Sequence, residues 1–246
     1  MSALFGETRT RVTANHALIA EDSHVPSVLP DFEKATPYFL ISPAMGANLT
    51  QLLIRFQSRG SASLPADWLE SVLYVQAGSC KVRIGTKTQT MGVGGYAFCP
   101  AETSLEFFAA RAGTAVTLFR KEFEPLDGYK SPSAIFGDAS KVKGKPFMDN
   151  PRALLKTLLP EDLRYDLAMN IFTYEPGATL PFVETHIMEH GLLMLSGQGV
   201  YRLDEQYYPV TAGDVIWMAP YCPQWFVAMG DHPASYLYYK NVNRHG

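Results

Sequence analysis

Two histidines four residues apart, His186 and His190, share a short stretch of chain with Glu184: Gly177-Ala178-Thr179-Leu180-Pro181-Phe182-Val183-Glu184-Thr185-His186-Ile187-Met188-Glu189-His190. Imidazole nitrogens and a carboxylate are the donors that a divalent ion takes from proteins. On a helix, positions i and i+4 share a face, as in a HExxH site. Pro181 and the β-rich surroundings argue instead for extended chain. On an unbulged strand, residues an even number apart point to one side, so Glu184, His186 and His190 fall on one face. Two imidazoles and a carboxylate there make a divalent-metal site with positions open for water or substrate. A lone histidine is usually a hydrogen-bonded core or surface residue; the triad and its spacing set these apart.

The elements that must carry such a site read as strands. Of 246 residues, 47% are hydrophobic and 18% charged, which fits a globular chain with a sizeable core. Short apolar or alternating runs recur between turn residues, among them Val72-Leu73-Tyr74-Val75, Lys81-Val82-Arg83-Ile84, Leu167-Ala168-Met169-Asn170-Ile171-Phe172 and Asp214-Val215-Ile216-Trp217-Met218. Short strands at this spacing predict an all-β sandwich or barrel. One helix is expected, Asn150–Leu159, with Asn150 as cap, Pro151 at its first position and Pro160 after its end. The net charge of −3 lacks the basic footprint of a nucleic-acid binder, so no nucleic-acid partner is expected. No apolar run approaches a membrane span, and no secretory signal is read at the start. Three cysteines without a CxxC argue against a disulfide framework and for a reducing, cytoplasmic setting.

An internal repeat organises the chain. Aligning Gly78 with Gly197 sets an offset of 119 residues, which also pairs Val82 with Tyr201, Ile84 with Leu203, Gly94 with Gly213, Tyr96 with Val215, Phe98 with Trp217 and Phe107 with Phe226. The expected organisation is an arm over 1–30, a first β domain over 31–124, a linker over 125–149 and a second β domain over 150–246.

The second repeat then resembles a known family. Gly177, Glu184, His186, His190 and Gly197 resemble the first cupin motif, with Glu184 at its first histidine position and His190 at its acidic one. Gly213-Asp214, Pro220 and Gln224 resemble the second motif, Gln224 standing where its final histidine ligand sits. The chain therefore looks like a bicupin, all-β, with two tandem double-stranded β-helix barrels. Glu-x-His-x-x-x-His followed by a Gln ligand is similar to the (S)-ureidoglycine aminohydrolase family, a manganese-dependent branch of purine and allantoin breakdown. The runs Leu195–Tyr201 and Tyr236–Arg244 look like that family too. The resemblance implies one Mn(II) held by Glu184, His186, His190 and Gln224, a set hard enough for manganese and open to other divalent ions. It implies hydrolytic release of ammonia from (S)-ureidoglycine, a small ureido acid, giving (S)-ureidoglycolate. It places Tyr201, Tyr236, Lys240 and Gln224 at substrate-contacting positions, and Lys240 and Glu184 at catalytic ones. Strand alternation adds that Tyr236, Tyr238 and Lys240 share a face. Association into a homo-oligomer is expected. Two other readings are a metal cupin acting as dioxygenase or isomerase on a small acid, and a non-catalytic binding bicupin.

The first repeat is an internal control. The same offset carries the four ligands to Pro65, Asp67, Ser71 and Leu105, a set that cannot hold an ion, so the first domain is expected to be metal-free and structural. Lys240 maps to Lys121. Glu189 is expected to face away from the metal. Met188 is a possible pocket wall, Trp217 and Trp225 are expected in the core or the wall, and Cys222 is expected to be a buried inert thiol. His232 and His245 receive no function.

Overall fold

The computed structural model describes residues 8–241. Apart from two 3-10 turns, Glu21–Ser23 and Pro43–Met45, its regular elements are strands. The first eleven are β1 (Arg11–Val12), β2 (His16–Ile19), β3 (Phe32–Ile41), β4 (Thr50–Leu64), β5 (Leu69–Ala77), β6 (Ser79–Ile84), β7 (Lys87–Gly92), β8 (Gly95–Cys99), β9 (Leu105–Phe108), β10 (Thr114–Glu122) and β11 (Ile135–Asp138). There follow β12 (Lys145–Phe147), β13 (Asn150–Thr157), β14 (Ala168–Tyr174), β15 (His190–Ser196), β16 (Gln198–Leu203), β17 (Gln206–Thr211), β18 (Val215–Met218), β19 (Gln224–Met229) and β20 (Ala234–Lys240). No helix among the described residues is long and apolar enough to cross a membrane.

One strand order occurs twice. The neighbours β8-β5-β10-β4-β3 reappear as β18-β15-β20-β14-β13, and β7-β6-β9 reappears as β17-β16-β19. Period-two patterning explains these strands: in β6, Cys80, Val82 and Ile84 are buried while Lys81 and Arg83 are exposed. In its counterpart β16, Gly199, Tyr201 and Leu203 point inward. Each half thus fills its own interior, one with Leu52, Ile54, Val82 and Phe107, the other with Phe172, Tyr201, Phe226 and Tyr236. A third apolar cluster joins Val72, Phe98 and Phe119 of the first half to Met169, Trp217 and Tyr239 of the second.

Gly78 and Gly197 hold matching places for a steric reason. Both adopt left-handed φ, +69° and +72°, and both meet a neighbouring backbone: an added Cβ would lie 2.7 Å from the Cα of Thr114 or of Ala234. These contacts also correct the register of the repeat. The offset is 119 through β5–β9, but Thr114 matches Ala234, because the turn after β19 is one residue longer than the turn after β9. Arg120, opposite Ser71, therefore corresponds to Lys240, opposite His190, and Lys121 does not. Leu64, bridged to Leu105, likewise replaces Pro65 as the counterpart of Glu184, which is bridged to Gln224.

The leading strand of each half pairs with the other half's sheet. β2 lies along β18, and Arg9 beside it makes a two-pronged ion pair with buried Asp214 (2.6 and 2.8 Å). β11, from within the expected linker, lies along β8 of the first half. β12, from the same stretch, joins β13.

The expected helix at 150–159 is a strand. Asn150 Oδ1 accepts the Arg152 N–H at 3.0 Å, an Asx turn that starts extended chain rather than a helical cap. β13 then pairs with β14 from Ala153↔Tyr174 to Thr157↔Asn170 and buries Ala153 in the second interior. The local helix propensity of Ala-Leu-Leu-Lys is weak beside five ladder positions that cover the edge of β14.

Candidate active site

The seven side chains singled out by the sequence meet at one cavity of about 190 Å³ inside the second half: Glu184, His186, His190, Tyr201, Gln224, Tyr236 and Lys240 all line it. Tyr238 and Met188 complete the polar and polarisable wall, and Phe147, Phe172 and Leu180 the apolar one.

Glu184, His186 and His190, the candidate metal donors, reach the cavity differently from the expected single strand. Residues 181–189 form no strand, and His190 opens β15. Pro181 lacks an N–H, and Glu184 makes one isolated bridge with Gln224, N–H to O 2.8 and 2.9 Å in the two directions. The His186 carbonyl accepts the Tyr221 N–H at 2.7 Å. These backbone bonds, rather than a shared pleat, turn Glu184 and His186 toward the base of β19. From the other side, β20 brings Tyr236, Tyr238 and Lys240 to the same space, as strand alternation requires.

The imidazoles stack. His186 and His190 have ring centroids 4.9 Å apart, and Tyr238 stacks on His190 at 5.3 Å with the rings 15° from parallel. Gln224 Nε2 lies 2.8 Å from His186 Nε2; an amide nitrogen cannot accept, so it donates to the imidazole lone pair. His190 Nε2 and His186 Nδ1 are buried without a hydrogen-bond partner. Among the described residues, no three of His, Cys, Asp and Glu stand together closely enough to hold a metal ion as placed.

Burial sets the charges here. It pushes the Glu184 carboxyl up, against the pull of nearby Lys240. It pulls His190 well below the ordinary imidazole range, helped by His186 and Lys240, and lowers His186, again helped by Lys240 and opposed by the nearby backbone. Lys240 is lowered by burial and opposed by Glu161 and Glu184. Tyr201, Tyr236 and Tyr238 are all raised, so their phenols stay protonated and can donate. Tyr236 is steadied by Tyr174, oxygen to oxygen 3.2 Å.

Two neutral imidazoles, a carboxylate and an amide suit a hard divalent ion, although as placed the His186 lone pair is taken up by the Gln224 amide. Exchanging the Gln224 amide nitrogen and oxygen would turn an acceptor toward the His186 lone pair. The unpartnered His190 nitrogen is the strongest sign in this donor set that something else is meant to bind. A cation, three phenols and an apolar wall beside it would orient a small acid.

The remaining sequence candidates fall outside this centre. Trp217 is fully buried between the halves, and Trp225 donates to the Leu180 carbonyl at 2.9 Å. Cys222 is buried and its thiol is pushed up to about 11, which keeps it unreactive. Glu189 points away from the cavity, accepting the Trp217 indole N–H and the Asn48 N–H, each at 2.8 Å. His232 is an exposed residue beside Asp231. His245 and the end of the Tyr236–Arg244 run, from Val242 on, lie outside the described residues. Phe147 and Phe172 were not singled out from sequence; Phe172 sits in the quoted apolar run, but nothing local marks which face of that strand meets the cavity.

A family model described as a cupin domain matches residues 170–239, the stretch that holds most of this centre. A rice protein (Oryza sativa subsp. japonica) named probable (S)-ureidoglycine aminohydrolase is 38% identical over 242 residues, 97% of this chain and 77% of its own length. The (S)-ureidoglycine aminohydrolase of Escherichia coli (strain K12) is 33% identical over 94% of this chain and 89% of its own. Among solved structures, the E. coli protein Ylba superposes with a TM-score of 0.87 at 31% identity, covering 98% of this chain and 96% of that one.

Proposed function

Because the chain belongs to the (S)-ureidoglycine aminohydrolase family, we propose that it hydrolyses (S)-ureidoglycine to (S)-ureidoglycolate and ammonia. In that reaction a C–N bond at the carbon bearing the carboxylate breaks, water supplies the new C–O bond, and the amine leaves with a proton. The observation that carries the reading is the single cavity in which the donor set meets Lys240 and the tyrosines.

We read the fold as two tandem cupin barrels, an N-terminal one without metal and a C-terminal one with the site. The repeated strand order supports this. One Mn(II) would be held by Glu184, His186, His190 and Gln224; the buried His190 nitrogen without a partner supports that assignment. Such an ion, when bound, supplies Lewis acidity and a water of lowered pKa. The chain does the rest. Lys240 pairs with the substrate carboxylate. Tyr201 and Tyr236, held protonated, donate to the ureido carbonyl and fix its orientation. Glu184 accepts a proton from the attacking water and passes one to the departing amine. Phe172 and Leu180 keep bulk water from the apolar side. We place the enzyme in the cytoplasm, acting on a small molecule with no nucleic-acid or membrane partner, and as a homo-oligomer. Exposed Phe182, Val183 and Ile187 on the loop bearing Glu184 and His186 support an interface.

The test is ammonia release from freshly generated (S)-ureidoglycine, with metal content measured on the same samples. Manganese-loaded protein should release ammonia, and His186→Ala should lose both the ion and at least about 100-fold in rate, as expected for the loss of several kcal/mol of charge stabilisation. No release by the loaded wild type overturns the substrate assignment. Release without bound metal overturns the cofactor assignment alone.

A further inference from the structure

The first half has its own cavity, of about 370 Å³, at the mouth of the place that matches the candidate active site. Three lining positions correspond across the repeat: Leu64 to Glu184, Leu69 to Met188 and Arg120 to Lys240. Deeper in, the counterparts of Tyr201, Tyr236 and Tyr238 are Val82, Val116 and Leu118, which pack as core. Leu64 and Leu105 stand where Glu184 and Gln224 stand in the second half. The first half has thus lost the donors and the phenols, yet keeps a cation in the position of Lys240.

That cation is held in a specific arrangement. Arg120 Nη2 donates to both oxygens of Asp67 (3.0 and 2.8 Å), and its Nε to Ser71 Oγ at 3.2 Å. Asp67 and Ser71 occupy the positions of His186 and His190. Asp67 Oδ1 also accepts the Leu69 N–H at 2.9 Å, which fixes the carboxylate. Arg120 Nη1 has no hydrogen-bond partner among the described residues. The cavity wall is mainly apolar, with Phe32, Phe39, Leu52, Leu64 and Leu69, and it also carries Thr50, Ser63 and a second, exposed carboxylate, Asp31.

We infer that this cavity is a second, non-catalytic small-molecule site, which binds a carboxylate carrying a short apolar body, with Asp67 as its built-in competitor. A guanidinium is a planar fork that matches carboxylate oxygens and can serve one on each edge. Asp67 takes one edge; the Nη1 edge is left for a ligand. The volume lies in the range of small-molecule pockets, and the apolar wall selects a hydrocarbon body over a sugar or a phosphate. Asp67 lowers the affinity by like-charge repulsion, so its removal must tighten binding.

The probe is phenylacetate, with neutral phenylacetamide as control, titrated by calorimetry into the manganese-loaded full chain. A Lys240→Met background weakens carboxylate binding in the second half, and the same titration of the Arg120→Met, Lys240→Met double variant gives whatever binding remains there, so the difference reads the first-half cavity alone. One molecule of phenylacetate should bind per chain, with the amide at least about tenfold weaker. Asp67→Asn should tighten the acid by about tenfold, since a juxtaposed like charge costs a kcal/mol or more. Arg120→Met should abolish binding. Ser63→Phe, which fills the cavity without touching the Arg120–Asp67–Ser71 group, should abolish it as well while leaving the melting temperature near that of the parent. Equal binding of acid and amide, weaker binding by Asp67→Asn, persistence in Ser63→Phe, or no saturable binding in either parent or Asp67→Asn overturns the proposal.

Discussion

Glu189 and His190 are neighbours in sequence and serve different compartments. The imidazole faces the cavity, while the carboxylate turns back between the halves to accept from Trp217 and Asn48. Its own N–H donates to Asn241 Oδ1 at 2.8 Å. Its carbonyl also accepts the Asn241 N–H at 3.3 Å, so the residue before a candidate ligand is anchored by four bonds, one of them to the first half. Glu189→Ala leaves the buried Trp217 indole N–H and the part-buried Asn48 N–H unpaired and should cost about 2–3 kcal/mol in urea unfolding, whereas Glu189→Gln, which keeps an acceptor, should cost less than half of that. Lys240 offers a separate test. If it pairs with the substrate carboxylate, Lys240→Met should lower kcat/KM by about 10–100-fold, chiefly through KM, the size of a lost charged hydrogen bond. Both Glu184 and His186 were legible from residue type and spacing. Their route to the cavity was not, because it depends on backbone bonds to Gln224 and Tyr221, more than thirty residues away.

At the scale of elements, β2 shows how a strand outside the cavity wall tunes stability. His16 is buried, with Nδ1 2.9 Å from Asn15 Oδ1 and Nε2 2.8 Å from Tyr208 Oη. The amide oxygen can only accept, so Nδ1 carries the proton and Nε2 accepts from the phenol. Burial lowers the His16 pKa, with Asp204 opposing. The unfolded chain, with a pKa of about 6.5, then binds more protons than the folded one below that pH. This contribution is intact above pH 6.5 and is lost as pH falls toward the folded value. Melting temperatures should drop between pH 7.5 and 5.5, and His16→Gln should flatten that slope; an unchanged slope would refute the account. The alternating strands were readable because period two is written locally, as in β6 and β16. β13 was not, since its state is decided by β14, which the local residues do not mention. The one-residue shift that makes Arg120, not Lys121, the match of Lys240 was hidden for a related reason. Turn length can change without disturbing the pattern on either side of it.

Over the whole molecule, matching residues meet each other. Phe119 and Tyr239 occupy equivalent places in β10 and β20, and their rings stack at 5.9 Å, 13° from parallel. The two halves thus face one another about a local two-fold, with the third apolar cluster between them. Buried Lys121 adds an ion pair from the first half to buried Asp166 of the second, at 2.5 Å. A shared core of this kind should make unfolding one event: calorimetry and tryptophan fluorescence should report the same midpoint. Phe119→Ala should lower stability by about 3–5 kcal/mol and move both signals together. Two separated transitions in the wild type would contradict this. The exchanged strands add a consequence in time. β2 leaves the ribosome early, but its partner β18 follows some 200 residues later; Arg9 and Asp214 are 205 positions apart. At the usual pace of translation that is a wait of about 10–40 s, during which the nascent N-terminal strand has no sheet to join. The first half can close with β11 in the meantime, so synthesis itself sets an order: the half with the ion-paired cavity matures before the half that holds the candidate active site.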